Sequence, residues 1–106
     1  MTRAVVAGPD ADGLGGALER AGVAVTRVEG VLTADALAEA GINAADIFVL
    51  TDMEEATAIA VVKERNPDVR VVVYSHESLP AFASGQADIA MDPDLFDTEM
   101  VAEELA

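Results

Sequence analysis

The sequence predicts an α/β fold: a doubly wound, Rossmann-like parallel sheet of five strands with helices on both faces, in three layers. Three observations carry this expectation. Short apolar runs such as Ala4-Val5-Val6-Ala7 and Ile47-Phe48-Val49-Leu50 lack polar alternation, as strands covered on both faces do. Each run is followed by a stretch with helical spacing of its apolar residues. Glycine, Asn-Pro or Asp-Pro marks the junctions. The 106 residues give room for one domain, residues 1–106, large enough to bury a core without disulfide or metal staples.

The first strand spans Arg3 to Ala7. Gly8-Pro9-Asp10-Ala11-Asp12-Gly13 turns the chain into a helix from Gly13 to Ala21, with Leu14, Ala17, Leu18 and Ala21 on one side and Gly22 as its stop. Gly15 and Gly16 are poor helix formers, so their presence points to a close backbone approach. Ala24 to Val28 is the second strand. Thr33 caps a helix from Ala34 to Ala40, stopped at Gly41. Ile47 to Leu50 is the third strand. Thr51 and Asp52 each precede a glutamate by three residues, Glu54 and Glu55, which is capping-box spacing and predicts a helix start. That helix carries Lys63 and Arg65 in its last turn and ends at Asn66-Pro67. Val69 to Tyr74 is the fourth strand, Ser78 to Ser84 a short helix, and Ala87 to Met91 the fifth strand. After Asp92-Pro93, a final acidic helix runs from Leu95 to Leu105, anchored by Leu95, Val101 and Leu105.

Composition narrows the function. There is no cysteine and one histidine, His76, which removes thiolate and mainly imidazole metal sites. Twenty acidic residues against five arginines and one lysine, Lys63, give a net charge of −14 with 52 % apolar residues. An acidic surface over a small-residue core suits a halophile, whose molar salt screens self-repulsion. No basic patch is available to neutralise phosphates, so nucleic acid is not expected as a partner. No segment resembles a signal peptide or a membrane span, so a cytoplasmic protein without membrane insertion is expected.

The middle of the chain resembles the nucleotide-binding domain of the TrkA/RCK family, which regulates potassium transport. The resemblance rests on Leu37, Ala40-Gly41-Ile42 and Ala45-Asp46, the strand Ile47 to Leu50, and Thr51 with Glu54. It continues through Lys63-Glu64-Arg65-Asn66-Pro67, Val69 to Val73, Gly85-Gln86-Ala87-Asp88 and Pro93, and so covers roughly residues 4 to 93. It implies a shortened, stand-alone regulatory module of haloarchaeal type that binds NAD or an adenine nucleotide. The implied roles are strand-end turn for Gly8, helix N-terminus for Gly13, ribose acceptor for Glu29 and edge of the adenine pocket for Thr51. Asp10 and Asp52 fall in the same expected site. A transporter or regulatory protein would be the partner.

The chain departs from the G-x-G-x-x-G dinucleotide turn, because Asp10 stands at the middle glycine and would repel a pyrophosphate. A strand of the family's second half-unit is also missing. An alternative therefore stands beside the first: a non-binding interaction module that kept the fold. A third is a degenerate receiver-like domain. Asp10, Asp12 and Asp52 follow the first and third strands, where carboxylates could hold a hard cation such as Mg²⁺. The arrangement resembles the receiver domains of response regulators, which have an acidic pair after strand 1 and an acceptor aspartate after strand 3. Met91 and Asp92, however, stand where a receiver has a lysine before its proline, and Gly8-Pro9 replaces the acidic pair. Neither a catalytic constellation nor a committed metal site is expected, because the Ser75-His76 pair lacks an orienting acid. A weak homodimer is expected through Phe96 and Met100, which lie four apart on the last helix.

Overall fold

In the computed structural model, which describes residues 1–106, five strands alternate with five helices. They are β1 (Arg3–Ala7), α1 (Leu14–Arg20), β2 (Ala24–Val28), α2 (Ala34–Glu39), β3 (Ile47–Leu50), α3 (Ala58–Arg65), β4 (Arg70–Tyr74), α4 (Ala81–Ser84), β5 (Ile89–Met91) and α5 (Thr98–Leu105). All strand pairs are parallel and the order is β2-β1-β3-β4-β5. That is the flavodoxin-like version of the doubly wound sheet. Every strand therefore ends on one edge, and the loops that follow the strands gather there.

Side-chain alternation sorts the core into two layers. Val5, Ala7, Phe48, Leu50, Val71 and Val73 face Leu37 of α2, Ile59 and Val62 of α3, and Ala83 of α4. Ala4, Val6, Ile47, Val49, Val72 and Tyr74 face Leu14 and Leu18 of α1 and Val101 and Leu105 of α5. The three-layer α/β expectation holds in this form. No charged or polar residue other than Tyr74 is buried in either layer, and the Tyr74 hydroxyl has partners at the sheet edge.

Several boundaries differ from the sequence expectation, among them the start of α4 at Ala81 and not Ser78. The capping-box spacing at Thr51 and Asp52 does not open an α-helix. The Asp52 carboxylate takes the Glu54 N–H at 3.0 Å, two residues on, and this closes a 3₁₀ turn over Met53–Glu55. The α-helix begins only at Ala58. The last helix begins at Thr98 rather than Leu95, because the N–H groups of Leu95 and Phe96 both turn back to the Asp92 carbonyl. Leu95 is 77 % exposed and anchors nothing. The fifth strand is shorter than expected, since the Asp88 carboxylate, not its strand neighbours, receives the Val71 N–H.

Candidate functional site at the carboxyl edge of the sheet

The β1–α1 turn sits at the centre of this edge. Gly8 has φ +95°, and a Cβ there would lie 2.6 Å from Thr51 Oγ1 and 3.0 Å from the Asp52 nitrogen. Only glycine fits both the backbone and the space. The Thr51 hydroxyl uses that closeness: it lies 3.2 Å from the Ala7 carbonyl and 2.5 Å from the Pro9 carbonyl, and so stitches the β3 end to the turn.

Asp10 folds back over the start of α1. Its carboxylate oxygens accept the Gly15 N–H at 3.0 and 3.2 Å, and Arg27 lies 3.9 Å away. A Cβ on Gly15 would meet Asp10 Oδ2 at 2.8 Å and Arg27 at 3.0 Å, which accounts for a glycine inside this helix. The first turn of a helix is where a dinucleotide fold holds phosphate. Here the protein's own carboxylate takes an N–H of that turn. Asp10 thus caps the start of its own helix. Asp12 does not share this role, and the cap residue Gly13 (φ +77°) has no side chain to contribute.

The six residues of the expected nucleotide site do not meet in one place. Gly8, Glu29 and Asp52 line a cleft of about 440 Å³ together with Pro9, Gly30, Val31 and Glu55. Asp10 and Gly13 lie outside it, and Thr51 is spent on the turn. The cleft holds three carboxylates and no arginine, lysine or histidine. Nor do Asp10, Asp12 and Asp52 converge on a cation: the first caps α1, the third caps the 3₁₀ turn, and the second reaches across to His76. Lys63, the chain's one lysine, is at the opposite end of the sheet. Its ammonium donates to the Val69 carbonyl at 3.0 Å and to Asp88 at 2.8 Å, just ahead of β4 and β5. The Lys63 ammonium, with the Val71 N–H, holds the Asp88 pKa below the usual carboxylate value.

The sequence reading missed a second convergence. His76, after β4, has Nε2 3.4 Å from Asp12 and Nδ1 3.2 Å from Asp94 and 3.5 Å from Asp92. Asp12 and then Asp94 stabilise the imidazolium and raise the His76 pKa above its ordinary value. Nearby, the Tyr74 hydroxyl donates to the Phe96 carbonyl at 2.7 Å and Thr98 Oγ1 reaches the Asp12 carbonyl at 3.3 Å. The loops after β1, β4 and β5 are thereby tied together. The legible signal was that all three follow strands of one parallel sheet, and that two aspartates flank Pro93.

The model of the family of unknown function DUF7126 matches residues 4–105. The chain belongs to that family. No curated protein matches it. Among solved structures, this DUF7126 member is similar to a pilus assembly protein (cpaE) from Burkholderia thailandensis, with TM-score 0.70 and 21 % identity over 99 % of this chain and 95 % of that one. It is also similar to an orphan response regulator of H. pylori, with TM-score 0.73 and 16 % identity over 97 % and 92 % of the two chains. A Burkholderia pseudomallei response regulator with a phosphorylated aspartic acid, a calcium ion and citrate gives TM-score 0.71 and 21 % identity, over all of this chain and 67 % of that one. The fold of the DUF7126 domain is therefore receiver-like.

The resemblance to the TrkA/RCK domain is corrected by these matches, which are to a pilus assembly protein and response regulators. Its motif residues build the fold instead. Leu37 and Ile42 are core, and Asp46 accepts the Arg3 N–H at 2.8 Å. The Asn66 amide donates to the Ile42 and Ala45 carbonyls, both at 2.9 Å. These contacts close the connections between helices and strands of this sheet, so here the residues serve the fold.

Proposed function

We propose that this DUF7126 domain is a degenerate receiver-like module that neither accepts a phosphoryl group nor binds a nucleotide, and that acts by protein contact in the cytoplasm. One observation carries the proposal: Asp10 and Asp52, the acids after β1 and β3 where a receiver assembles its site, already accept backbone N–H groups, and no lysine stands at that edge. Asp10 caps α1, Asp52 caps the turn after β3, and Lys63 is held at the far end of the sheet by Asp88. An acceptor carboxylate also needs cationic help to bring an anionic phosphodonor close. The cleft beside Asp52 adds Glu29 and Glu55, which repel one. The same two glutamates disfavour the pyrophosphate of NAD. No helix is long and apolar enough to cross a membrane.

Incubation with acetyl phosphate and Mg²⁺ in molar KCl, followed by intact-mass measurement, tests the proposal. The expected spectrum is that of the unmodified chain. A phosphoryl adduct that disappears in Asp52→Asn would overturn it.

The contact surface is taken to be the apolar groove between β5 and α5, of about 390 Å³, lined by Ile89, Met91, Phe96, Met100, Val101, Glu104 and Leu105. Phe96 precedes α5 and so does not share a helical face with Met100 as expected, but both residues line the groove and remain 42 % and 59 % exposed there. A two-fold contact would seat each copy's Phe96 in the other's groove, once salt screens Glu104. Light scattering in molar KCl should give a concentration-dependent mass that Phe96→Asp reduces to the monomer. A monomer mass for the parent chain at every concentration would remove this surface and leave the phosphoryl reading standing.

A further inference from the structure

We propose that His76 Nδ1, Asp92 and Asp94 form a binding site for a first-row transition cation of the Zn²⁺ or Mn²⁺ kind, with Asp12 as the outer carboxylate that orients the imidazole. Three features carry this inference. The first is spacing. The donor atoms of His76, Asp92 and Asp94 all lie within 4.8 Å of one another, and Nδ1 is 3.5 and 3.2 Å from the two carboxylate oxygens. Ligand atoms held about 2.0–2.2 Å from one metal in tetrahedral or octahedral geometry stand about 2.8–3.6 Å apart. The imidazole and each carboxylate already have that separation.

The second feature is the inventory of lone pairs. With Nε2–H directed at the Asp12 carboxylate, neutral His76 presents the bare Nδ1 lone pair to two carboxylates that have no proton to give. Asp92 Oδ1 also accepts the Asp94 N–H at 2.9 Å, and when His76 is neutral a cation from solution would take the lone pairs left over. A carboxylate behind a ligating imidazole is the usual outer partner of a metal-bound histidine.

The third feature is charge. Three aspartates meet here, and no arginine or lysine pairs with any of them. Arg20 pairs with Glu99, Arg27 with Glu19 and Asp10, and Lys63 with Asp88. The cation must come from the histidine's own proton or from solution. An imidazole among the donors favours transition ions over Mg²⁺ and Ca²⁺, so the site differs in chemistry from the Asp52 cleft, with which it shares the carboxyl edge of the sheet but no residue. It stands whether or not the phosphoryl reading does.

Calorimetric titration of the full chain with ZnCl₂ and with MnCl₂ tests the site, in molar KCl at about pH 8, where protons compete less for the imidazole. One Zn²⁺ per chain is expected, bound at least tenfold more tightly than Mg²⁺ or Ca²⁺. His76→Ala and Asp94→Asn should each weaken it tenfold or more, whereas Asp52→Asn should leave it unchanged. All of these side chains are on the surface, and circular dichroism would confirm that the variants fold. Asp12→Asn should weaken binding severalfold and also change the ¹⁵N-detected tautomer of His76 in the metal-free chain, which a loss of mere packing would not do. Equal affinity in His76→Ala, or Mg²⁺ binding as tight as Zn²⁺, would reduce the cluster to diffuse acidic attraction. His76 ring resonances that do not move on Zn²⁺ addition to the parent chain would overturn the proposal without any variant.

Discussion

Replacing Gly8 by alanine should be the most damaging single change at the sheet edge that adds only one carbon. The residue holds φ +95°, which costs an L-residue about 1–2 kcal/mol. The new Cβ would lie 2.6 Å from Thr51 Oγ1 and 3.0 Å from the Asp52 nitrogen. Backbone at Asp52 cannot swing away, so Thr51 must move and give up its bonds to the Ala7 and Pro9 carbonyls. The single hydroxyl proton, shared between these two carbonyls, is worth about 0.5–1.5 kcal/mol, and the whole substitution about 1.5–3.5 kcal/mol. For a chain of this length each kcal/mol lowers Tm by about 4–5 °C, so thermal unfolding followed by circular dichroism should show a fall of about 7–16 °C. The Thr51→Ala partner separates the two causes. With Oγ1 gone, Gly8→Ala should cost about 1 kcal/mol less than in the parent. A drop of only a few degrees, or strict additivity of the two changes, would refute the tight Gly8–Thr51 contact as the reason for glycine.

Asp10→Ala should lower stability by about 0.5–2 kcal/mol, the usual value of a helix cap, and fray α1 first in amide exchange. An unchanged melting curve would mean that the cap at Gly15 is dispensable. Asp88 has a folded pKa below its unfolded value, so its contribution is fully present above the ordinary carboxylate pKa and is lost as pH falls through that range toward the folded value. Acid titrations of the parent and Lys63→Met should therefore diverge above the carboxylate range and converge below it. Parallel curves would contradict the pairing. Low salt should loosen the later half of the chain first, because residues 69–106 carry a net −7 against −1 for residues 1–31. Exchange protection that falls uniformly along the chain as KCl is withdrawn would count against this.

The sheet was legible because its signal is local. β1, β2 and β3 have the bounds expected from the sequence, and Thr33 caps α2 as its residue type demands, with the Ala36 N–H 3.0 Å from its hydroxyl. Asp52 does act as a cap, but through the Glu54 N–H two residues on, so it opens a 3₁₀ turn and not the α-helix that the capping-box spacing predicts. The site was legible only in part. That carboxylates after β1 and β3 share an edge follows from a parallel sheet. Which of them turn inward does not: Asp10 was drawn to a helix N–H, and Asp12 to a histidine 64 residues away. The family-like motifs around Leu37, Asp46 and Asn66 misled for a related reason, since a connection that closes a doubly wound sheet looks the same whatever the sheet binds.

The central claim is that the Asp52 edge has lost phosphoryl chemistry, and beryllofluoride with Mg²⁺, a mimic of an acylphosphate, tests it most directly. Added to the ¹⁵N-labelled chain in molar KCl, it should leave the amide resonances of Gly8, Thr51, Asp52 and Glu54 where they were. Saturable shifts at those positions that vanish in Asp52→Asn would show a working acceptor and contradict the account.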